Sequence, residues 1–192
     1  MNETSKAVIR RMHDPAFALT YFAGNGIDIG SGNDALGNYC EFFPRMINCL
    51  SWDRADGDAQ ELPDVEKDSF DFVHSSHCLE HLLDPWRAID RWLEVLKPGG
   101  HLVCIVPDED LYEQGVWPSQ FNSDHKCTFT IYKSASWSPV SVNIVDLLSR
   151  DTISIQSIKL LHVTTRILAQ GYDQTQTPVG ECAIEFVVRK EK

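Results

Sequence analysis

Apolar residues recur along this chain at two different spacings, and their alternation predicts an α/β fold. Over residues 6–22, Val8, Ile9, Met12, Phe17, Leu19 and Phe22 suggest a helix, broken near Asp14-Pro15. Ile27-Asp28-Ile29 reads as a short strand that runs into glycines. A short helix is expected over 35–43, stopped by Pro44, and a second strand over 45–52. The polar stretch 53–63 contains Gly57 and reads as a loop or a very short strand. A third strand is expected over 70–74. Trp86, Ile89, Trp92, Leu93 and Leu96 mark a helix over 85–97, with Pro85 suited to its first turn. Lys97-Pro98-Gly99-Gly100 should end that helix.

Leu102 to Val106 is an apolar run bounded by Gly100 and Pro107, as in a strand buried on both faces. Residues 107–139 are aromatic and polar, the pattern of a long functional segment. A helix over 141–150 and strands over 153–165 and 183–189 complete the series. Strands and helices in this order imply a mainly parallel sheet. Ligands of such sheets bind at the strands' carboxyl ends, here after Ile29, Trp52, Val73 and Val106.

Composition narrows the function. The 192 residues fit one domain spanning 1–192. The net charge is −11, from 28 acidic and 17 basic side chains with no dense basic block. That opposes nucleic acid as a partner. No signal peptide or apolar run long enough for a membrane span is read. Six cysteines are scattered without a two-residue spacing. Reduced thiols in a cytoplasmic protein are the expectation.

The turn Asp28-Ile29-Gly30-Ser31-Gly32 carries the first chemistry. Gly30 to Ala35 fits the dinucleotide fingerprint, so a nicotinamide or flavin ligand has to be weighed. A carboxylate at Asp28 would repel a pyrophosphate but suit a ligand bearing a sulfonium and an ammonium. A plain strand-to-helix connection, with Asp28 capping backbone amides, remains open beside this. Asp53 follows Gly30 by 23 residues, where an acidic residue accepts from ribose hydroxyls.

Four motifs in sequence extend the pattern: Gly26 to Gly32, Gly57-Asp58-Ala59-Gln60-Glu61-Leu62-Pro63, Ser69 to His81, and Leu96 to Gly100. Together they resemble the class I S-adenosylmethionine-dependent methyltransferases. The stretches Val106 to Tyr112 and Asn122 to Lys126 resemble a subset of small bacterial members. The resemblance implies a Rossmann-like, doubly wound sheet with an antiparallel C-terminal strand, and S-adenosylmethionine as cofactor. It implies that Asp28, Gly30, Ser31 and Gly32 hold the methionine moiety and that Asp53 binds the ribose. It further implies that Asp58 and Ala59 meet the adenine, and that Ser75, Ser76 and His77 line the methionine end. Asp53 and Asp58 are only five residues apart, so a helix or strand of larger members is missing here. A small-molecule or saccharide acceptor is implied, and a homodimer is compatible with this reading.

His77-Cys78-Leu79-Glu80-His81 matches the inverted zinc-protease motif. No third ligand stands out in the sequence, so no metal is expected. Methyl transfer needs an acceptor aligned with the methyl carbon, and sometimes a base. The segment 107–140 should supply that side of the site. His125 is the candidate base, and Asp108 lies in the same region. Two alternatives stand: a binding module or partner subunit with weak catalysis, and an NAD-dependent oxidoreductase.

Overall fold

The architecture is that of a computed structural model, which describes residues 3–162 and 171–192. One six-stranded sheet organises the chain, and the expected α/β class holds. Its strands are β1 (Gly24–Ile29), β2 (Met46–Trp52), β3 (Phe70–Ser76), β4 (Leu96–Pro107), β7 (Ile153–Leu161) and β8 (Ala183–Lys190), in the order β2-β1-β3-β4-β8-β7. The first four are mutually parallel. β8 runs antiparallel to both β4 and β7. A separate two-stranded ribbon pairs β5 (Thr128–Thr130) with β6 (Ser141–Asn143).

Alternation along the strands sends side chains to two cores. Val73, Leu102 and Cys104 face helix α2 (Pro85–Val95), which contributes Ile89 and Trp92. Phe72, Val103 and Val187 face the other way, against Phe17, Phe22 and Phe43. The N-terminal helix α1 (Glu3–Arg11) adds Val8 to this second core. β4 is buried on both faces from Leu102 to Pro107, as its apolar run predicts.

Several boundaries differ from expectation. The first helix stops at Arg11, and only a π-helical turn at Phe17–Tyr21 follows the Asp14-Pro15 break. The 35–43 segment is a 3₁₀ helix, Leu36–Phe42. α2 ends at Val95, and Lys97 to Gly100 begin β4 rather than cap the helix, because Leu96 already pairs with Phe70. The expected helix over 141–150 is replaced by β6 and a single turn, α3 (Ile144–Leu147). Val142 instead pairs with Phe129. The expected strand over 153–165 ends at Leu161, and 163–165 lie outside the described residues. Between Trp52 and Phe70 the chain makes only turns, so both helix and strand are missing there.

Candidate active site

The parallel strands end in a crevice formed by two adjoining cavities of about 330 and 570 Å³. Gly30, His77 and His81 line both. The smaller cavity adds Ser31, Gly32, Ser76 and His125, and the larger adds Asp53, Asp58 and Ala59. Nine expected contacts therefore surround one continuous crevice.

Local geometry explains why glycines stand at the first turn. Gly30 has φ +75°, and a Cβ there would come within 2.5 Å of the Cys78 Cβ. Its N–H donates to the Trp52 carbonyl at 2.8 Å, which ties the turn to the end of β2. Gly32 has φ +53° with nothing within 4 Å of where its Cβ would sit. Its backbone is thus open to an approaching ligand. On the opposite wall His77 takes φ +54°, and its N–H donates to the Ile105 carbonyl at 2.9 Å. Left-handed backbone at a non-glycine residue costs energy and concentrates at functional sites. Burial pushes the His77 imidazole down to about 3, with the charges of His125, Lys6 and His81 adding to it. The ring is therefore neutral at physiological pH.

The acidic wall is not the one expected. Asp28 is 1% exposed and lines neither cavity. Its Oδ2 accepts the Leu36 N–H at 2.7 Å, and its Oδ1 lies 2.6 Å from His74 Nδ1. Both oxygens are engaged inside the protein, so its charge shapes the turn from behind. The carboxylates that line the larger cavity are Asp53, Asp58 and Asp124. Asp53 Oδ1 accepts the Arg54 N–H, and Asp58 Oδ1 accepts the Gln60 N–H, each at 2.8 Å. These local bonds fix both side chains and leave the second oxygen of each for a ligand. Direct turns from 53 to 58 bring the two onto one wall without an intervening helix.

Two other expected residues also stand aside. Ser75 is fully buried, and its hydroxyl donates to the Ile29 carbonyl at 2.9 Å. Asp108 caps the π-helical turn Glu109–Glu113, accepting the N–H groups of Asp110 and Leu111 at 3.1 Å. It lines neither cavity. Its Oδ1 is engaged in capping that turn.

His125 does reach the crevice. Its Nδ1 donates to Glu113 Oε1 at 2.7 Å, and both side chains are nearly fully buried. That bond orients the ring and leaves Nε2 for the cavity. The His81 ring stands edge-on to it with centroids 5.0 Å apart, and its Nδ1 donates to Asp124 Oδ2 at 3.0 Å. Glu80 lies beside them, fully buried, with no hydrogen bond to either carboxylate oxygen. Burial pushes its carboxyl up to about 7. Two residues that the sequence did not single out, and two from the motifs after β4, also close the cavity. Glu3 and Thr4 reach it from the start of α1, and Asn122 and Tyr112 from the segment after β4. The positions of Glu3 and Thr4 follow from the docking of α1, fixed by the Ser5 N–H donating to Asp34 at 2.9 Å. No local sequence signal marks them.

A methyltransferase-domain family matches residues 5–137 of this chain. Its fold resembles that of an S-adenosylmethionine-dependent methyltransferase from Archaeoglobus fulgidus, with TM-score 0.58 and 18% identity over 99% of this chain and 95% of that one. A Mesorhizobium loti S-adenosylmethionine-dependent methyltransferase gives TM-score 0.58 and 15% identity over 95% and 100%. A demethylmenaquinone methyltransferase of Clavibacter sepedonicus is 40% identical over 72 residues, which span 32% of this chain and only 29% of that relative. The sheet defines a Rossmann-like domain with an open crevice at the strand ends. The chain belongs to the methyltransferase-domain family.

Proposed function

We propose that this chain transfers a methyl group from S-adenosylmethionine to a small-molecule or saccharide acceptor. The observation that carries the reading is the shared crevice, in which the open glycine turn meets the acidic wall. S-adenosylmethionine supplies a methyl group on a cationic sulfur. Asp53 suits the ribose hydroxyls, and Asp58 with the Ala59 backbone suits the adenine. Gly30, Ser31 and Gly32, facing Ser76 and His77, suit the methionine end. Three carboxylates on the larger cavity oppose a pyrophosphate, which argues against NAD.

The acceptor belongs in the smaller cavity, where Tyr112, Asn122 and His125 converge. An aromatic ring beside polar groups suits a sugar or an aromatic acceptor. His125, held by Glu113, presents a nitrogen lone pair to that space. It can take an acceptor's proton or bind an electrophile. The protein's part is alignment and exclusion of water.

Calorimetric titration tests the cofactor assignment. S-adenosylhomocysteine should bind at micromolar or tighter affinity and NAD should not. Asp53→Ala should weaken S-adenosylhomocysteine by about tenfold, the worth of one or two hydrogen bonds. NAD binding with no S-adenosylhomocysteine binding would overturn the proposal. Turnover with methyl-labelled cofactor and candidate saccharides then separates an enzyme from a binding module.

A further inference from the structure

The smaller cavity is lined by three side chains of metal-ligand type, Glu80, His81 and His125. Each offers one donor atom, and these atoms lie within 4.8 Å of one another. His81 Nε2 is 4.0 Å from Glu80 Oε1. We propose that Glu80, His81 and His125 bind a divalent transition-metal ion of the zinc class, with an open coordination position facing the cavity.

Three observations carry this. The first is the Glu80 carboxylate: it is 1% exposed, lines the cavity, and neither oxygen has a hydrogen-bond partner. A buried carboxylate left unpaired costs several kcal/mol on the usual scale, so such a group is ordinarily paired or coordinated to a metal. The second is the orientation of both imidazoles. His125 donates Nδ1–H to Glu113 at 2.7 Å, and His81 donates Nδ1–H to Asp124 at 3.0 Å. Each bond fixes the tautomer whose Nε2 carries the lone pair, the arrangement found behind metal-bound histidines. The third is the donor set itself. Two imidazoles and one carboxylate with a fourth position free is a set used by catalytic zinc and by non-haem iron. Zinc ligands at about 2.0–2.1 Å stand about 3.3 Å apart in a tetrahedron. Small side-chain rotations would close the present spacing to that value.

In the sequence, His77 and His81 are the two histidines of the inverted zinc-protease motif. The structure divides them differently: Leu79–His81 is a short 3₁₀ turn, His77 precedes it in a left-handed bend, and His125 takes the third place. An open position would receive an acceptor oxygen and make a hydroxyl more acidic. That role rests on the methyl-transfer reading, whereas metal binding itself does not.

The test uses the purified chain stripped with a chelator and titrated with Zn²⁺, with Mg²⁺ as the control. Elemental analysis gives the stoichiometry, and Co²⁺ substitution reports ligand geometry through its visible absorption. One equivalent of Zn²⁺ should bind, with Mg²⁺ far weaker, since the site is nitrogen-rich. Glu80→Gln and His125→Ala should each lose more affinity than the roughly 10–100-fold expected for Asp124→Asn, whose side chain only orients His81. Asp124 is half-exposed, so that variant reports on the site without disturbing the core. S-adenosylhomocysteine titration of the same variants keeps the two readings apart: Glu80→Gln should lose metal and keep the nucleoside ligand. Sub-stoichiometric zinc in a folded protein would overturn the metal site, as would stoichiometric zinc that survives Glu80→Gln.

Discussion

Two buried polar clusters lie on this sheet, and they are built on opposite rules. Beneath the aromatic core, Asp28, His74, Arg11 and Glu185 form a chain of contacts. His74 sits 2.6 Å from Asp28 and 3.0 Å from Arg11 Nη1, and Arg11 Nε donates to Glu185 at 2.9 Å. Arg10 adds bonds of 2.8 and 3.0 Å to the same carboxylate. Burial would raise the Glu185 carboxyl, but the Arg11 and Arg10 charges hold it below the ordinary value. The one unpartnered atom, Arg11 Nη2, belongs to a guanidinium flanked by the Phe17 and Phe22 rings. At the strand ends Glu80, His125 and Glu113 are buried and His81 is partly so, but three carboxylate oxygens lack a partner: both of Glu80 and Oε2 of Glu113. Self-satisfied burial is scaffolding. Burial that leaves acceptors unpaired beside a cavity stores capacity for a ligand.

That contrast is breakable first at Glu185. Glu185→Gln leaves the fully buried Arg11 without its counter-charge, a change that costs about 3–5 kcal/mol. Urea denaturation should show this loss, with zinc affinity unchanged in the protein that remains folded. A variant within about 0.5 kcal/mol of the parent would show that the network is not scaffolding. A smaller effect is expected at Asp28. Asp28→Asn keeps an acceptor for Leu36 N–H but removes the charge beside His74, for a loss of about 1–3 kcal/mol. Because Asp28 shapes the glycine turn, S-adenosylhomocysteine binding should weaken along with stability. Binding lost at full stability would instead make Asp28 a ligand contact.

Much of the scaffold was legible because its signals are local. Apolar runs located β3 and β4, and the glycines at Gly30 and Gly32 marked the open turn. Lys97 to Gly100 misled because a proline and glycines stop a helix and also lead into a strand, and only the pairing of Leu96 with Phe70 decides between them. Val142 was read as helical because its pairing with Phe129 is non-local. Asp28 lies near the end of β1, but sequence position does not give side-chain direction, and its carboxylate turns inward. The same limit hid the third member of the strand-end cluster. His81 and Glu80 are neighbours in a visible motif, whereas His125 arrives from the segment beyond β4, next to an Asp124 that lies 43 residues from His81. Chain folding, not spacing, creates that donor set.

Asp108 provides an intermediate case. Its carboxylate is 5% exposed and accepts two backbone N–H groups, so it is satisfied like the scaffold cluster. Yet burial outweighs those bonds and raises it from 3.8 to about 6, with the Asp110 and Glu109 charges adding to the rise. The folded chain therefore holds this proton to a higher pH than the unfolded chain does. Its contribution to stability is full below about pH 4 and is lost as pH rises through about 6. Asp108→Asn keeps the capping oxygen and cannot ionise, so it removes that slope. Between pH 4 and pH 7 its stability relative to wild type should rise by at most about 3 kcal/mol, read from urea midpoints. Turnover should be unchanged, since Asp108 faces neither cavity. Parallel pH curves for the two proteins would mean that the cap bonds offset burial. A fall in turnover at unchanged stability would return Asp108 to the catalytic side of the comparison.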